Sequence, residues 1–252
     1  MTVDADTLLQ PDAIAATRKA FAYDKAMVAA GGILKPLCRG SVSAGFFQWF
    51  QHYEYIRSFI ARAAWMRTNA LLLVSGALAC FRRNALLQVG GFDPDCLVED
   101  YELIHRLHRW AHDHQLHWTV RILGTVRGVT DAPATLPAFL RQRRRWFAGF
   151  LQTQYWYREM IGNAHYGTVG RVMLPVKAVD TLQPIYGLTA FALLLLFLLK
   201  GQFTIAYPVF IIISLKIVID LCFHLWSVKT YYQWTGARMT HRELGIALLA
   251  AL

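Results

Sequence analysis

Hydrophobic and polar positions divide this chain near residue 165. Upstream, apolar residues come in short runs and helical stripes of the kind a mixed α/β domain shows; downstream they fuse into long stretches. Pro11 suits the first turn of a helix over Asp12 to Phe21, and AMVAAGGILK reads as a strand pair or a strand with a glycine break. FFQWFQHYEYIRSFIARAAW has aromatics at helical spacing and predicts an interfacial helix, whereas LLLVSGALACF is a continuous apolar run suited to a buried strand. Arg82-Arg83-Asn84 then opens a short helix that Gly90-Gly91 ends. An amphipathic helix follows from Val98 to His112, then HWTVRIL and TVRGVT as strands, and Pro137 opens a long helix toward Met160.

Beyond residue 165 the pattern changes. Residues 181–199, TLQPIYGLTAFALLLLFLL, carry no charge and come close to the roughly 20 residues that a helix needs to cross a bilayer. After Lys200-Gly201-Gln202, residues 203–226 form a second candidate span, and the short link makes the two a helical hairpin. Lys216 and Asp220 stand at i and i+4 there, spaced to pair with each other where an isolated charge in lipid is costly. A third apolar segment starts at Leu244 and is cut off at Leu252, so a chain incomplete at this end is expected.

Composition sharpens this division. Hydrophobic residues make up 56% of the chain, more than a purely soluble or disordered protein carries. The formal net charge of +10 calls for a polyanionic partner or a membrane surface. Arg141, Arg143, Arg144, Arg145, Arg158, Arg171 and Lys177 precede the first span, and Lys229, Arg238 and Arg242 follow the second, while the link has only Lys200. That asymmetry faces the first 165 residues to the cytoplasm and explains the excess charge through membrane lipids, with no nucleic acid involved. Met1 is followed by an acidic stretch with no secretory pattern. Four scattered cysteines, Cys38, Cys80, Cys96 and Cys222, form no C-x-x-C pair and read as free thiols.

Candidate chemistry sits in three places. Asp4 and Asp6, one residue apart after a strand, can share a divalent cation and through it a diphosphate, because Mg2+ and Mn2+ take hard oxygen ligands; the alternative is a solvated, helix-capping turn. Glu99 and Asp100 stand where a loop enters a helix. A carboxylate there can take a proton from a hydroxyl, although the helix N-terminus lowers its basicity; the alternative is two acids complementing the helix dipole. Gln142, Arg145 and Trp146 share one helix face, offering an amide, a guanidinium fork for phosphate and a ring for stacking, whereas Arg143 and Arg144 point elsewhere. A basic helix with a tryptophan near a span also suits a membrane-interface anchor. The histidines His105, His108, His112, His114 and His117 read as a solvated helix-to-strand face in preference to a zinc site.

In order, VDADTLLQPDA, QHYEYIRSF, SGALACFRRNALLQVGGFD, VED, TDAP and RQRRRWFAG, followed by spans, resemble the membrane-integrated family 2 glycosyltransferases, the group that includes bacterial cellulose, chitin, hyaluronan and poly-N-acetylglucosamine synthases. The resemblance implies a partial GT-A (Rossmann-like) α/β domain over residues 1–165 and a transmembrane region over residues 166–252. It implies Asp4 and Asp6 as ligands for Mg2+ or Mn2+, Asp100 as catalytic base, and Glu99, Gln142, Arg145 and Trp146 at the donor diphosphate and acceptor. Ser75 and Gly76 fall at the acceptor site by the same resemblance, with strand packing as the alternative, and Tyr53-Glu54 within reach of it. Val98 stands where the family has threonine. The family's nucleotide-binding half precedes its D-x-D pair, whereas this chain begins three residues before Asp4, so a fragment inactive by itself is expected.

The function so implied is inverting transfer of a sugar from a UDP-sugar to a growing polysaccharide at the cytoplasmic face of the cell (inner) membrane, with a polysaccharide or lipid acceptor. A glycolipid-forming transferase of the ceramide-glucosylating kind is the alternative, and a non-catalytic membrane remnant is a third reading.

Overall fold

The computed structural model describes residues 1–236, and the chain divides into two compact units, Met1–Val176 and the residues from Lys177 onward. The first unit is mixed α/β. Its strands are β1 (Thr2–Val3), β2 (Thr7–Leu9), β3 (Met27–Leu37), β4 (Leu78–Phe81) and β5 (Thr119–Asp131), in the order β1-β4-β3-β5-β2. The central β3 is buried along most of its length, antiparallel to β4 and parallel to β5.

This order constrains the Asp4-Ala5-Asp6 turn. β1 and β2 are the opposite edges of the sheet, yet only those three residues join them. A flat five-stranded sheet would hold its edges about 19 Å apart, and the connection reaches at most about 14 Å. The sheet therefore curls, and the acidic turn closes the gap between its edges. Thr7 N–H donates to the Asp4 carbonyl at 3.0 Å, locking the turn.

The helices of this unit are α1 (Ala13–Tyr23), α2 (Ala44–Arg67), α3 (Arg83–Gln88), α4 (Glu99–Asp113) and α5 (Leu136–Trp156). A core under α4 and α5 gathers Ala70, Leu72, Val98, Tyr101, Tyr157 and Met160, against which Trp146 and Phe150 pack. Contact between α5 and the start of α4 is close enough to require a glycine. A Cβ on Gly149 would come within 2.5 Å of a Val98 methyl carbon, so the bare backbone there lets the valine fill the groove.

Several sequence expectations change. Pro11 lies in the turn before α1 and not inside its first turn. AMVAAGGILK is one strand, and its pairing with β5 skips from Gly32–Leu123 to Ile33–Arg127, which fuses the two expected strands HWTVRIL and TVRGVT into one irregular β5. Of the apolar run Leu71–Phe81 only Leu78–Phe81 joins the sheet; Ser75-Gly76-Ala77 is a turn, closed by Leu78 N–H on the Ser75 carbonyl at 3.0 Å. The helix toward Met160 ends at Trp156, before a 3-10 turn over Arg158–Met160.

The histidine expectation also fails for two residues. His105 and His108 are buried core residues, the former 2.8 Å from the Tyr101 carbonyl through Nδ1 and the latter 2.9 Å from the Leu71 carbonyl through Nε2. Their rings satisfy backbone carbonyls inside apolar surroundings, so they form no solvated face. Of the cysteines, Cys38, Cys80 and Cys96 are buried free thiols and Cys222 is an exposed one.

In the second unit, α6 (Leu174–Thr181), which begins in the first, stops one residue short of α7 (Gln183–Leu199), bent from the helix before it by 45°. Pro184 lacks an N–H and crowds the carbonyl four residues back, which accounts for the break inside the expected first span. Gly201, at φ +67°, then reverses the chain, with Gln202 N–H donating to the Phe197 carbonyl at 2.9 Å. α8 (Phe203–Thr235) packs on α7, and Lys216 donates to Asp220 at 2.5 Å on its surface. Among the described residues one helix, α8, is long and apolar enough to cross a membrane, or two if the bent pair counts as one span. The apolar segment from Leu244 lies outside the described residues.

His108 makes folding stability depend on pH. Burial pulls its pKa down to about 4 from the usual 6.5, so the folded chain keeps it neutral where the unfolded chain binds a proton. Above about pH 7 both states are neutral and nothing changes. Stability should fall as pH drops from about 6.5 toward 4, by up to about 3 kcal/mol from this residue. Thermal unfolding followed against pH should show that limb, and His108→Gln should flatten it; identical limbs in both proteins would refute the assignment.

Candidate active site

The carboxylate of Asp100 is held by two backbone N–H groups. Asp100 is the second residue of α4, where N–H groups lack helical partners. Its Oδ2 accepts from Gly76 N–H at 2.7 Å and its Oδ1 from Tyr101 N–H at 2.8 Å. Glycine is what permits the first contact, since a Cβ at position 76 would sit 3.3 Å from the Asp100 Cβ and 3.4 Å from Oδ2. The turn at Ser75-Gly76-Ala77 therefore presents backbone to the carboxylate.

Two tendencies compete at Asp100. Burial, foremost, and the neighbouring Glu99 raise its pKa above the ordinary carboxylate value, while the Gly76 and Tyr101 N–H groups and Arg62 oppose them. The balance is upward. The helix N-terminus does lower its basicity, through the Tyr101 N–H, but burial outweighs the two donors, and Asp100 is a stronger base than a solvated aspartate.

Asp4 and Asp6 stand at the surface on the turn between β1 and β2, with Asp6 Oδ1 accepting from Thr130 Oγ1 at 3.3 Å. The Asp4 pKa is raised, first by desolvation and then by Asp6 and Glu99, with Arg145 opposing. Glu99 is thus felt by both Asp4 and Asp100, so the acidic turn, Glu99, Asp100 and Arg145 border one region of the surface. Among the described residues no three His, Cys, Asp or Glu side chains gather into a ready-made metal cage. Two adjacent hard carboxylates with crowded negative charge still fit a Mg2+-like ion, which needs only one or two carboxylates alongside phosphate and water.

One stripe of α5 supports this region. Arg145 Nη1 donates to the Leu97 carbonyl at 3.0 Å, Gly149 lies over Val98, and Gln152 bonds Leu97 N–H at 3.0 Å and the Asp95 carbonyl at 2.9 Å. Residues 145, 149 and 152 therefore pin the loop that leads into Asp100. Sequence reading missed Gly149 and Gln152, although their i+4 and i+7 spacing from Arg145 marks the same helix face.

The remaining predicted residues fall less simply. Gln142 carries a buried Oε1 with no partner among the described residues. Trp146 is partly buried, and the guanidinium of Arg143 lies 4.5 Å from its ring centroid. Arg143 thus does not point away from this face: it also covers the Phe139 ring at 4.5 Å and forms a double contact with Glu54, one arm at 2.6 Å. Tyr53, expected within reach of an acceptor, is buried in the core, and Glu54 is committed to Arg143. Arg62, whose effect reaches Asp100 from α2, was not anticipated, since only the fold brings the two together.

A family model described as glycosyl transferase family group 2 matches residues 1–223. No curated protein sequence matches the chain. Among solved structures, the mannosyltransferase PcManGT from Pyrobaculum calidifontis, in complex with GDP-Man and Mn2+, aligns over 99% of this chain with a TM-score of 0.53 and 18% identity. The chain spans 59% of the length of that protein, and at this identity the likeness shows a shared GT-A-like fold. The family match covers the whole first unit and most of the second, together with every candidate residue above, so the chain belongs to glycosyl transferase family group 2.

Proposed function

We propose that the chain works in the inverting transfer of a sugar from a UDP-sugar to a hydroxyl of a growing polysaccharide, as the polymer synthases of the family do. The observation that carries this reading is the Asp100 carboxylate, held by two backbone N–H groups and made more basic by burial. It stands beside an acidic turn and an arginine that suit a diphosphate. Asp100 takes the proton of the attacking hydroxyl, while Gly76, free of a side chain, lets the acceptor approach the carboxylate. Arg145 faces the departing diphosphate. Asp4 and Asp6 would hold Mg2+ or Mn2+, which would supply charge neutralisation on that leaving group; the GDP-Man and Mn2+ with the structural neighbour support a divalent-metal dependence. Gln142 and Trp146 border the acceptor, with one face of the indole already covered by Arg143.

Membrane placement belongs to the same proposal. The α7–α8 hairpin sits in the bilayer and the first unit faces the cytoplasm, supported by the apolar length of α8 and by the basic residues on both sides of the hairpin.

Asp100→Asn preserves shape and abolishes proton uptake, so labelled sugar transfer should fall by about 10²–10⁴ while sugar-nucleotide binding persists. In the unsubstituted protein, transfer needs the ionised form and should decline on acidification, with a midpoint above the ordinary aspartate value near 3.9. A midpoint at or below that value, or a variant that binds no donor, would contradict the role.

Asp6→Ala should abolish the stimulation of transfer by Mg2+ or Mn2+, measured by titrating each ion into chelator-treated membranes. Unchanged metal-dependent turnover would exclude the acidic turn as the metal site.

A further inference from the structure

One charged pair crosses from α2 to the helix face that carries Trp146. The two guanidinium arms of Arg143 meet the two carboxylate oxygens of Glu54, one of them at 2.6 Å, so the plane of the fork is fixed as well as its charge. The same guanidinium lies 4.5 Å from the ring centroid of Phe139 and 4.5 Å from that of Trp146. Positions 139, 143 and 146 stand at i, i+4 and i+7, so ring, cation and indole form a stack along one stripe of α5. Arg143 Nε is buried with no hydrogen-bond partner, so among the described residues the fork is oriented by Glu54.

A tie between the two helices does not require this geometry. Phe47 and Phe50 of α2 already rest on Phe139, with ring centroids 5.6 and 5.8 Å apart, and a partly exposed ion pair adds little to stability. What the pair supplies beyond a tie is a fixed cation over the indole. Trp146 is half-buried and packs on the core that holds Val98 and Tyr101, the residues on either side of Glu99-Asp100. Its neighbours on α5 touch the same stretch: Arg145 donates to the Leu97 carbonyl at 3.0 Å, and Phe150 meets Tyr101 with ring centroids 4.9 Å apart. The indole therefore contacts the core around the start of α4 and carries Arg143 on a ring face. Loss of that cation frees the ring where the core does not hold it.

We propose that Glu54 is a positioning residue for the acceptor: by holding the Arg143 fork against Trp146, it sets the orientation in which the indole meets the sugar whose hydroxyl is delivered to Asp100. This inference rests on the transferase reading above and on the place given there to Trp146. It gives α2 a part in acceptor binding through α5, and none in donor binding or proton transfer.

The test uses the full chain in membranes, labelled UDP-glucose, UDP-N-acetylglucosamine and GDP-mannose as donors, and cellobiose, diacetylchitobiose and dodecyl glucoside as acceptor probes. The most active donor and acceptor pair carries the kinetics. Glu54→Gln keeps the shape but turns amide hydrogens toward the fork, and Arg143→Lys keeps the charge but has no fork. Each should raise KM for the acceptor probe by about three- to tenfold, leaving kcat within about twofold and KM for the sugar nucleotide unchanged. The double variant should raise it no further than either single one, because both break one contact. A merely structural role would lower the yield of active enzyme with both KM values intact, and that result would overturn the proposal. So would an acceptor KM unmoved in both variants, or losses that add in the double variant. Arg143→Lys carries the test alone if Glu54→Gln misfolds. Absence of transfer to all three probes by the unsubstituted protein would overturn the transferase reading, and this inference with it.

Discussion

On the proposed reading, the chemistry of the first unit depends on the grip of two backbone N–H groups on the Asp100 carboxylate. Burial raises the pKa of this acid, and a neutral acid takes no proton. The Gly76 and Tyr101 donors oppose that tendency without cancelling it. What results is a carboxylate fixed in direction and raised in basicity, the combination that a base acting on a weakly acidic hydroxyl requires. Each donor has a structural cost: one favours a residue without Cβ, since a Cβ at position 76 would crowd Asp100, the other a helix that starts at one defined residue.

That helix start is in turn fixed by α5. Gly149 seats Val98, and Arg145 and Gln152 hold the backbone of Leu97 and Asp95, so the approach of α5 determines where α4 begins. The ion pair of Glu54 with Arg143 and the contacts of Phe47 and Phe50 with Phe139 tie α5 to α2. Arg145 is engaged at both ends of this arrangement, bonding the loop and facing the acidic turn. Support and chemistry share one helix face, which explains how a basic aromatic segment is more than a surface anchor.

Much of this was legible in the sequence because it is local. The amphipathic α4, the long α5 with its Gln142-Arg145-Trp146 face, the acidic turn and the tight link at Gly201 all follow from spacing within a few residues. Legibility failed where partners are distant in the chain. The run Leu71–Phe81 resembles a strand, yet only its last four residues find one, because the rest feeds the Gly76 turn toward Asp100. His105 and His108 read as a solvated face until the fold supplies carbonyls for them, and Arg143 reads as pointing away from the Gln142-Arg145-Trp146 face until Glu54 arrives from α2. Arg62 had no local signal, since its relation to Asp100 exists only after α2 and α4 pack.

On the proposed reading Asp100 is the one base and the acidic turn serves the leaving group, so transfer should proceed by a single displacement. Such a displacement inverts the anomeric centre, whereas retention would require a covalent or otherwise doubled step at a second nucleophile. The most direct measurement is the anomeric configuration of the first-formed product from an α-linked sugar nucleotide, read by proton NMR. A β-linked product is the result the account predicts; an α-linked product would contradict it.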